Sequence, residues 1–187
     1  MWKWIGGILL AVVVLVMGAA WWGFHKISSG FEPDGSVKVT IAATPARVFS
    51  SLSDADSAAT WMAGGSTVYT GKHGTLVPGD SIRISMRAVG GMSGRPVTWK
   101  IAEVVPGQVV VRQLDSPDPR HKFTVVRRDS VAQVGDSTVV ISKTAPSTAL
   151  TETSAQMVLS MFRVQSKLEL LSLKARLEGR SRSRPIR

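Results

Sequence analysis

TSAQMVLSMFRVQSKLELLSLKARLE, residues Thr153 to Glu178, is where the sequence changes period, and that change decides the fold. Met157, Met161, Val164, Leu168, Leu171 and Ala175 recur at steps of four and three, which lays one apolar stripe along a helix. Phe162, Leu170, Leu173 and Leu177 widen the stripe, and Gly179 stands where a C-cap is needed. A helix of this length must bury its stripe against another layer.

The preceding residues supply that layer. Between Ser66 and Thr144 the period is two throughout. Ser66–Thr70 is a short strand. Asp80–Val89 places Ile82, Ile84, Met86 and Ala88 on one face, and Val97, Trp99 and Ile101 do the same in the next strand. Val109–Leu114, Phe123–Val134 and Ser137–Lys143 complete the set, the last two joined by the tight turn Gly135-Asp136. These connections are too short for crossover helices, so the sheet is antiparallel. Upstream, Val37, Val39 and Ile41 alternate as a first strand. Thr44-Pro45 then opens a short helix over Ala46–Leu52, and Ser53-Asp54 opens a second, running to about Met62. The class is α+β: a curved antiparallel seven-stranded sheet wrapped around a long C-terminal helix.

The N-terminus is of another kind. Trp4–Phe24 is 21 residues without a charge or a proline, with tryptophans at both ends and Lys3 and Lys26 outside. A helix of that length spans roughly 30 Å, the thickness of bilayer hydrocarbon. It predicts one transmembrane helix before the folded domain. A cleaved signal peptide competes, with Gly18-Ala19-Ala20 near a cleavage site, but Trp21-Trp22 continues the apolar run past it. The resulting division is anchor 1–26, linker 27–35, folded domain 36–179 and basic tail 180–187. The expected location is a single-pass membrane protein with its domain outside the cytoplasm.

The stretch TPARVFSSLSDADSAATWM, Thr44–Met62, with its Pro45, Val48-Phe49, Asp54 and Trp61, resembles the opening of the SRPBCC superfamily, which includes START-like and polyketide cyclase/dehydrase-like domains. GDSIRISM (Gly79–Met86), WKIAEVVPGQ (Trp99–Gln108) and GDSTVVIS (Gly135–Ser142) sit where that family has strands. The resemblance covers Ser36–Gly179. It implies a helix-grip fold with an apolar cavity between sheet and C-terminal helix, in which most members hold lipids, sterols or polyketides. In such a cavity Met157, Met161 and Phe162 of the helix face Met86, Trp99 and Phe123 of the sheet, near Trp61. The same residue types also fill a solid core.

Other chemistry finds little support. There is no cysteine, which excludes thiol catalysis and thiolate metal sites. His25, His73 and His121 share no metal-ligand spacing, and no Gly-x-Ser-x-Gly elbow occurs, so neither a metal nor a cofactor is expected. The net charge is +10, and Lys174, Arg176, Arg180, Arg182, Arg184 and Arg187 face only Glu178 at the C-terminal end. That charge suits anionic lipid. The tail lacks the interleaved aromatic residues that nucleic-acid stacking uses. The partners expected are therefore a hydrophobic small molecule or lipid and a membrane. Three functions stay open: a tethered module for a hydrophobic ligand, a cyclase/dehydrase-type enzyme using the same cavity, and a scaffold binding anionic lipid or a protein.

Overall fold

The computed structural model describes residues 34–62, 67–69, 71–85, 97–115, 124–146 and 152–179, together with Gly18. The chain divides into two units, Met1–Phe31 and Glu32–Arg187, and the fold below lies in the second. Apart from Gly18, the expected span Trp4–Phe24 and the tail 180–187 fall outside the described residues. Among the described residues no helix is long and apolar enough to cross a membrane.

Strand β1, Val37–Ile41, buries Val37, Val39 and Ile41 and exposes Lys38 and Thr40, as its period of two requires. Helix α1, Pro45–Ser53, starts on Thr44, whose hydroxyl accepts from the Arg47 amide at 3.4 Å, with proline in the first turn. Asp54 ends α1 in extended conformation and caps α2, Ala55–Trp61, by accepting from the Ser57 amide at 2.7 Å. One residue thus makes the corner between two helices. Asp54→Ala is expected to lower stability by about 1 kcal/mol, read as a smaller urea midpoint that Asp54→Ser largely restores.

The sheet then builds through β2 (Thr67–Tyr69), β3 (Ser81–Ser85), β4 (Val97–Val105), β5 (Val109–Asp115), β6 (Thr124–Val134) and β7 (Ser137–Pro146). Its order is β1-β7-β6-β5-β4-β3-β2, with every described pairing antiparallel. Six strands have five or more residues, and β2 has three. The tight turn lies at Gly135-Asp136, where Val134 faces Ser137 and Gly135 has φ 57°. A register shift between Ile101 and Glu103 marks a bulge in β4. Bulges bend a strand and increase its twist.

Helix α3, Glu152–Leu177, packs on β1 and β7, and Gly179 follows it at φ 73°. Its buried face differs from the sequence expectation. Ser166, Glu169, Leu170, Leu173 and Leu177 are buried, whereas Met161, Leu168 and Leu171 are exposed. The helix carries two apolar rows, and only the row beside Glu169 can also meet the charged groups on the sheet. Leaving a charge buried without its partner costs about 3–5 kcal/mol, more than one leucine gains by burial. That difference turns the helix.

Candidate functional site

The middle of the sheet's inner face is charged. In β5 the inward residues are Val110, Arg112 and Leu114; in β6 they are Val125, Arg127 and Asp129; in β7 they include Val140, Ser142 and Thr144. Register sets Arg112 opposite Arg127 and Arg127 opposite Thr144, while Val110, Asp129 and Ser142 form the adjoining row. Two guanidinium groups directly across a strand pair repel. Asp129 resolves this by taking Arg112 Nη1 on one carboxylate oxygen and Arg127 Nε, at 2.9 Å, on the other.

The network extends onto two helices. Arg127 Nη1 donates to Glu169 of α3, whose other oxygen accepts from Gln165 at 2.9 Å. Arg127 Nε also reaches the Ser142 hydroxyl at 3.1 Å. Arg112 Nη2 donates to the Leu52 carbonyl of α1 at 2.7 Å. The Trp61 ring, at the end of α2, lies 5.8 Å from the Arg112 guanidinium carbon, within cation–π range. The Trp61 indole N–H donates to the Ser51 carbonyl at 2.9 Å. Two arginines and two carboxylates balance to zero charge, and all four charged side chains are buried.

Burial alone would push the Asp129 carboxyl up. Arg127 and Arg112 on either side, with the Ser142 hydroxyl, outweigh it and hold Asp129 below the ordinary carboxylate range. Arg127 is held above its usual value, because Asp129 and Glu169 overcome its own desolvation. All four carboxylate oxygens therefore have a cationic or amide donor. Two guanidinium nitrogens, Arg112 Nε and Arg127 Nη2, are buried without a partner among the described residues.

An apolar end adjoins this centre. Trp99 of β4 stands opposite Leu114 and Ile82 and is buried. Phe162 of α3 meets its ring edge-on, with centroids 5.7 Å apart and an interplanar angle of 81°. Phe162 and Glu169 are seven residues apart, about 10 Å along the helix axis.

The expected site residues divide as follows. Trp99 and Phe162 come together, and Trp61 is buried against the charged centre. Met161 is on the outer face of α3, 64% exposed, so it is no part of the inner wall. Met86 and Phe123 lie outside the described residues, as does the side chain of Met157. His73 forms an exposed pair with Asp56 at 2.7 Å. Among the described residues no group of three metal-ligating side chains occurs.

Sequence reading missed Arg112, Arg127, Asp129 and Glu169. A signal was present: Arg112 shares the period-two face of Val110 and Leu114, and Arg127 and Asp129 share that of Val125. Opposite charges on the inward faces of two consecutive strands mark a buried ion pair.

A family model described as polyketide cyclase / dehydrase and lipid transport matches residues 33–178. Among solved structures, the fold is similar to the Aha1 dimer of Colwellia psychrerythraea, at 22% identity, 76% of this chain, 94% of that chain and a TM-score of 0.52. It is similar to protein Ms6760 of Mycobacterium smegmatis, at 15% identity, 78% and 90% coverage and a TM-score of 0.59. It is also similar to CalU16 of Micromonospora echinospora, at 16% identity, 79% of each chain and a TM-score of 0.51. At these identities the likeness concerns the fold alone. A comparison with curated proteins finds no match.

Proposed function

The chain belongs to the polyketide cyclase/dehydrase and lipid transport family, and from that membership we propose that it holds a hydrophobic, lipid-like molecule between the sheet and α3. The ligand class is a lipid, an isoprenoid or a polyketide-like molecule. Its apolar body lies along Trp99 and Phe162, with Met86, Phe123 and Met157 as further walls. Its polar end takes hydrogen bonds from the unpartnered nitrogens of Arg112 and Arg127. The observation carrying this reading is the adjacency of an aromatic end and a buried, charge-balanced centre with donors to spare. Trp4–Phe24 tethers the domain to a membrane, on its extracytoplasmic side.

Binding is favoured over catalysis by the same network. A carboxylate acting as general base needs an oxygen within reach of substrate, and each of the four oxygens of Asp129 and Glu169 already accepts from a neighbour. The test is mass spectrometry of the full chain extracted in mild detergent. A stoichiometric hydrophobic molecule should co-purify, and Phe162→Ala should retain several-fold less while staying folded by circular dichroism. Equal, near-zero retention in both proteins would end the proposal.

A further inference from the structure

Among the described residues five large apolar side chains are exposed, and three of them share one helix: Met161, Leu168 (54%) and Leu171 (44%) of α3. At 100° per residue they lie about 180° around the helix from Phe162, Leu170 and Leu173 on its inner face. A soluble surface helix shows one apolar stripe; α3 has two, and the outer one has no occupant among the described residues.

Charge selects the occupant. Glu169 is turned inward and committed to Arg127, so the other charged side chains of α3 from residue 160 to 179 are Arg163, Lys167, Lys174, Arg176 and Glu178, with Lys174 Nζ donating to the Thr40 carbonyl at 2.8 Å and Arg176 Nη1 to the Ser57 carbonyl at 3.2 Å on the flanks of the stripe. Four cations less one acid leaves +3, and Arg180, Arg182, Arg184 and Arg187 follow directly in sequence. Two copies pairing along this stripe would bring cation against cation in a protein whose net charge is already +10. A bare polyanion would leave the leucines against phosphates. An anionic bilayer surface satisfies both features: headgroups for the cations and acyl chains for the stripe.

Proximity supports the same partner. The Arg163 guanidinium packs over Gly35, where the linker joins the domain. Ten residues, 25–34, separate that point from Phe24. Fully extended they reach at most about 40 Å. We infer that the outer face of α3 docks on anionic lipid, seating the domain with its helix against the membrane. The tether proposed above supplies the closeness; the stripe and its charge stand without it.

The absence of native cysteine makes the test direct. Leu168→Cys and Leu171→Cys in the full chain, labelled with bimane, are reconstituted into vesicles of phosphatidylcholine with or without phosphatidylglycerol, carrying a lipid-borne nitroxide quencher. Val134→Cys, exposed at the hairpin tip, serves as control. Quenching at 168 and 171 is expected only with phosphatidylglycerol. It is lost at about 1 M salt, where screening acts within about 3 Å. Changing Arg182 and Arg184 to glutamine weakens it about fivefold per charge. Position 134 stays unquenched. Protein that floats with vesicles but is never quenched at 168 overturns docking and leaves the tether intact. Protein that floats with neither lipid overturns both. A Leu168→Cys disulfide dimer, protected from the quencher, assigns the stripe to a second copy and overturns the lipid assignment.

Discussion

Asp129→Ala is expected to lower the thermal midpoint by on the order of 10 °C. The side chain is wholly buried and accepts from both Arg112 and Arg127. Without it Arg127 keeps Glu169, but Arg112 keeps only the Leu52 carbonyl and the face of Trp61. Removing one member of a buried ion pair costs about 3–5 kcal/mol, and each kcal/mol moves the midpoint of a domain this size by about 2–4 °C. Calorimetry of the two proteins measures the difference, and an unchanged midpoint would show that the network is not closed as described. The effect depends on pH with a defined sign. Asp129 is held below the ordinary carboxylate range when folded, so its contribution is complete above the unfolded value, about 3.9, and is lost as pH falls through the folded value. Native protein should therefore weaken below about pH 4, and Asp129→Asn should show less of that decline.

A companion variant separates stability from function. Arg112→Met, Arg127→Met, Asp129→Leu and Glu169→Leu together exchange the whole network for apolar side chains of similar length. Replacing an entire buried ion cluster in this way is often neutral or stabilising, by about 1–4 kcal/mol. If the fourfold variant folds as well as the native chain yet loses co-purifying ligand, the charges serve recognition. If it retains the ligand, recognition is apolar and the role proposed for the guanidinium donors is wrong.

The elements of this fold were legible because local rules set them. Thr44-Pro45 and Asp54 start the helices where capping requires, the turn at Gly135 closes the β6–β7 hairpin, and Gly179 follows the long helix. The contact between Trp99 and Phe162 was also legible, since each side chain is large, apolar and on the inward period. The inner face of α3 was legible only in part: Leu170, Leu173 and Leu177, read as widening the stripe, are buried, but its leading row is not. The row through Met161, Leu168 and Leu171 is the more apolar of the two, and counting apolar residues favours it. What reversed the choice was a long-range charge requirement: Glu169 must meet Arg127, 42 residues away in sequence. Periodicity within one helix carries no information about a charge on another strand. The polar centre escaped notice for the same reason: alternation places Arg112, Arg127 and Asp129 on the inward period, but the partners that make burial of these charges tolerable lie on other strands and on α3.

Trp61→Ala is expected to have the second large effect, and comparison with Trp61→Phe shows why. Trp61 is fully buried, and truncating a buried tryptophan to alanine costs about 3–5 kcal/mol through lost contacts and the cavity left behind. Its ring also lies against the Arg112 guanidinium, a desolvated contact contributing about 2 kcal/mol. The alanine variant loses both, so Arg112 is free to change rotamer and withdraw from Leu52 and Asp129. Phenylalanine keeps an aromatic face beneath Arg112 and forfeits mainly the indole N–H bond to the Ser51 carbonyl, about 1 kcal/mol. Trp61→Ala should therefore show a midpoint several degrees lower and little retained ligand. Trp61→Phe should show a small loss of stability with ligand retention near native. If Trp61 matters only as core volume, retention in the two variants should follow their stabilities along one line, including when the alanine variant is measured in the cold, where it is folded. If it matters by holding Arg112, the alanine variant should fall below that line even when folded. The second outcome would tie the short helix α2 to ligand recognition through a single side chain.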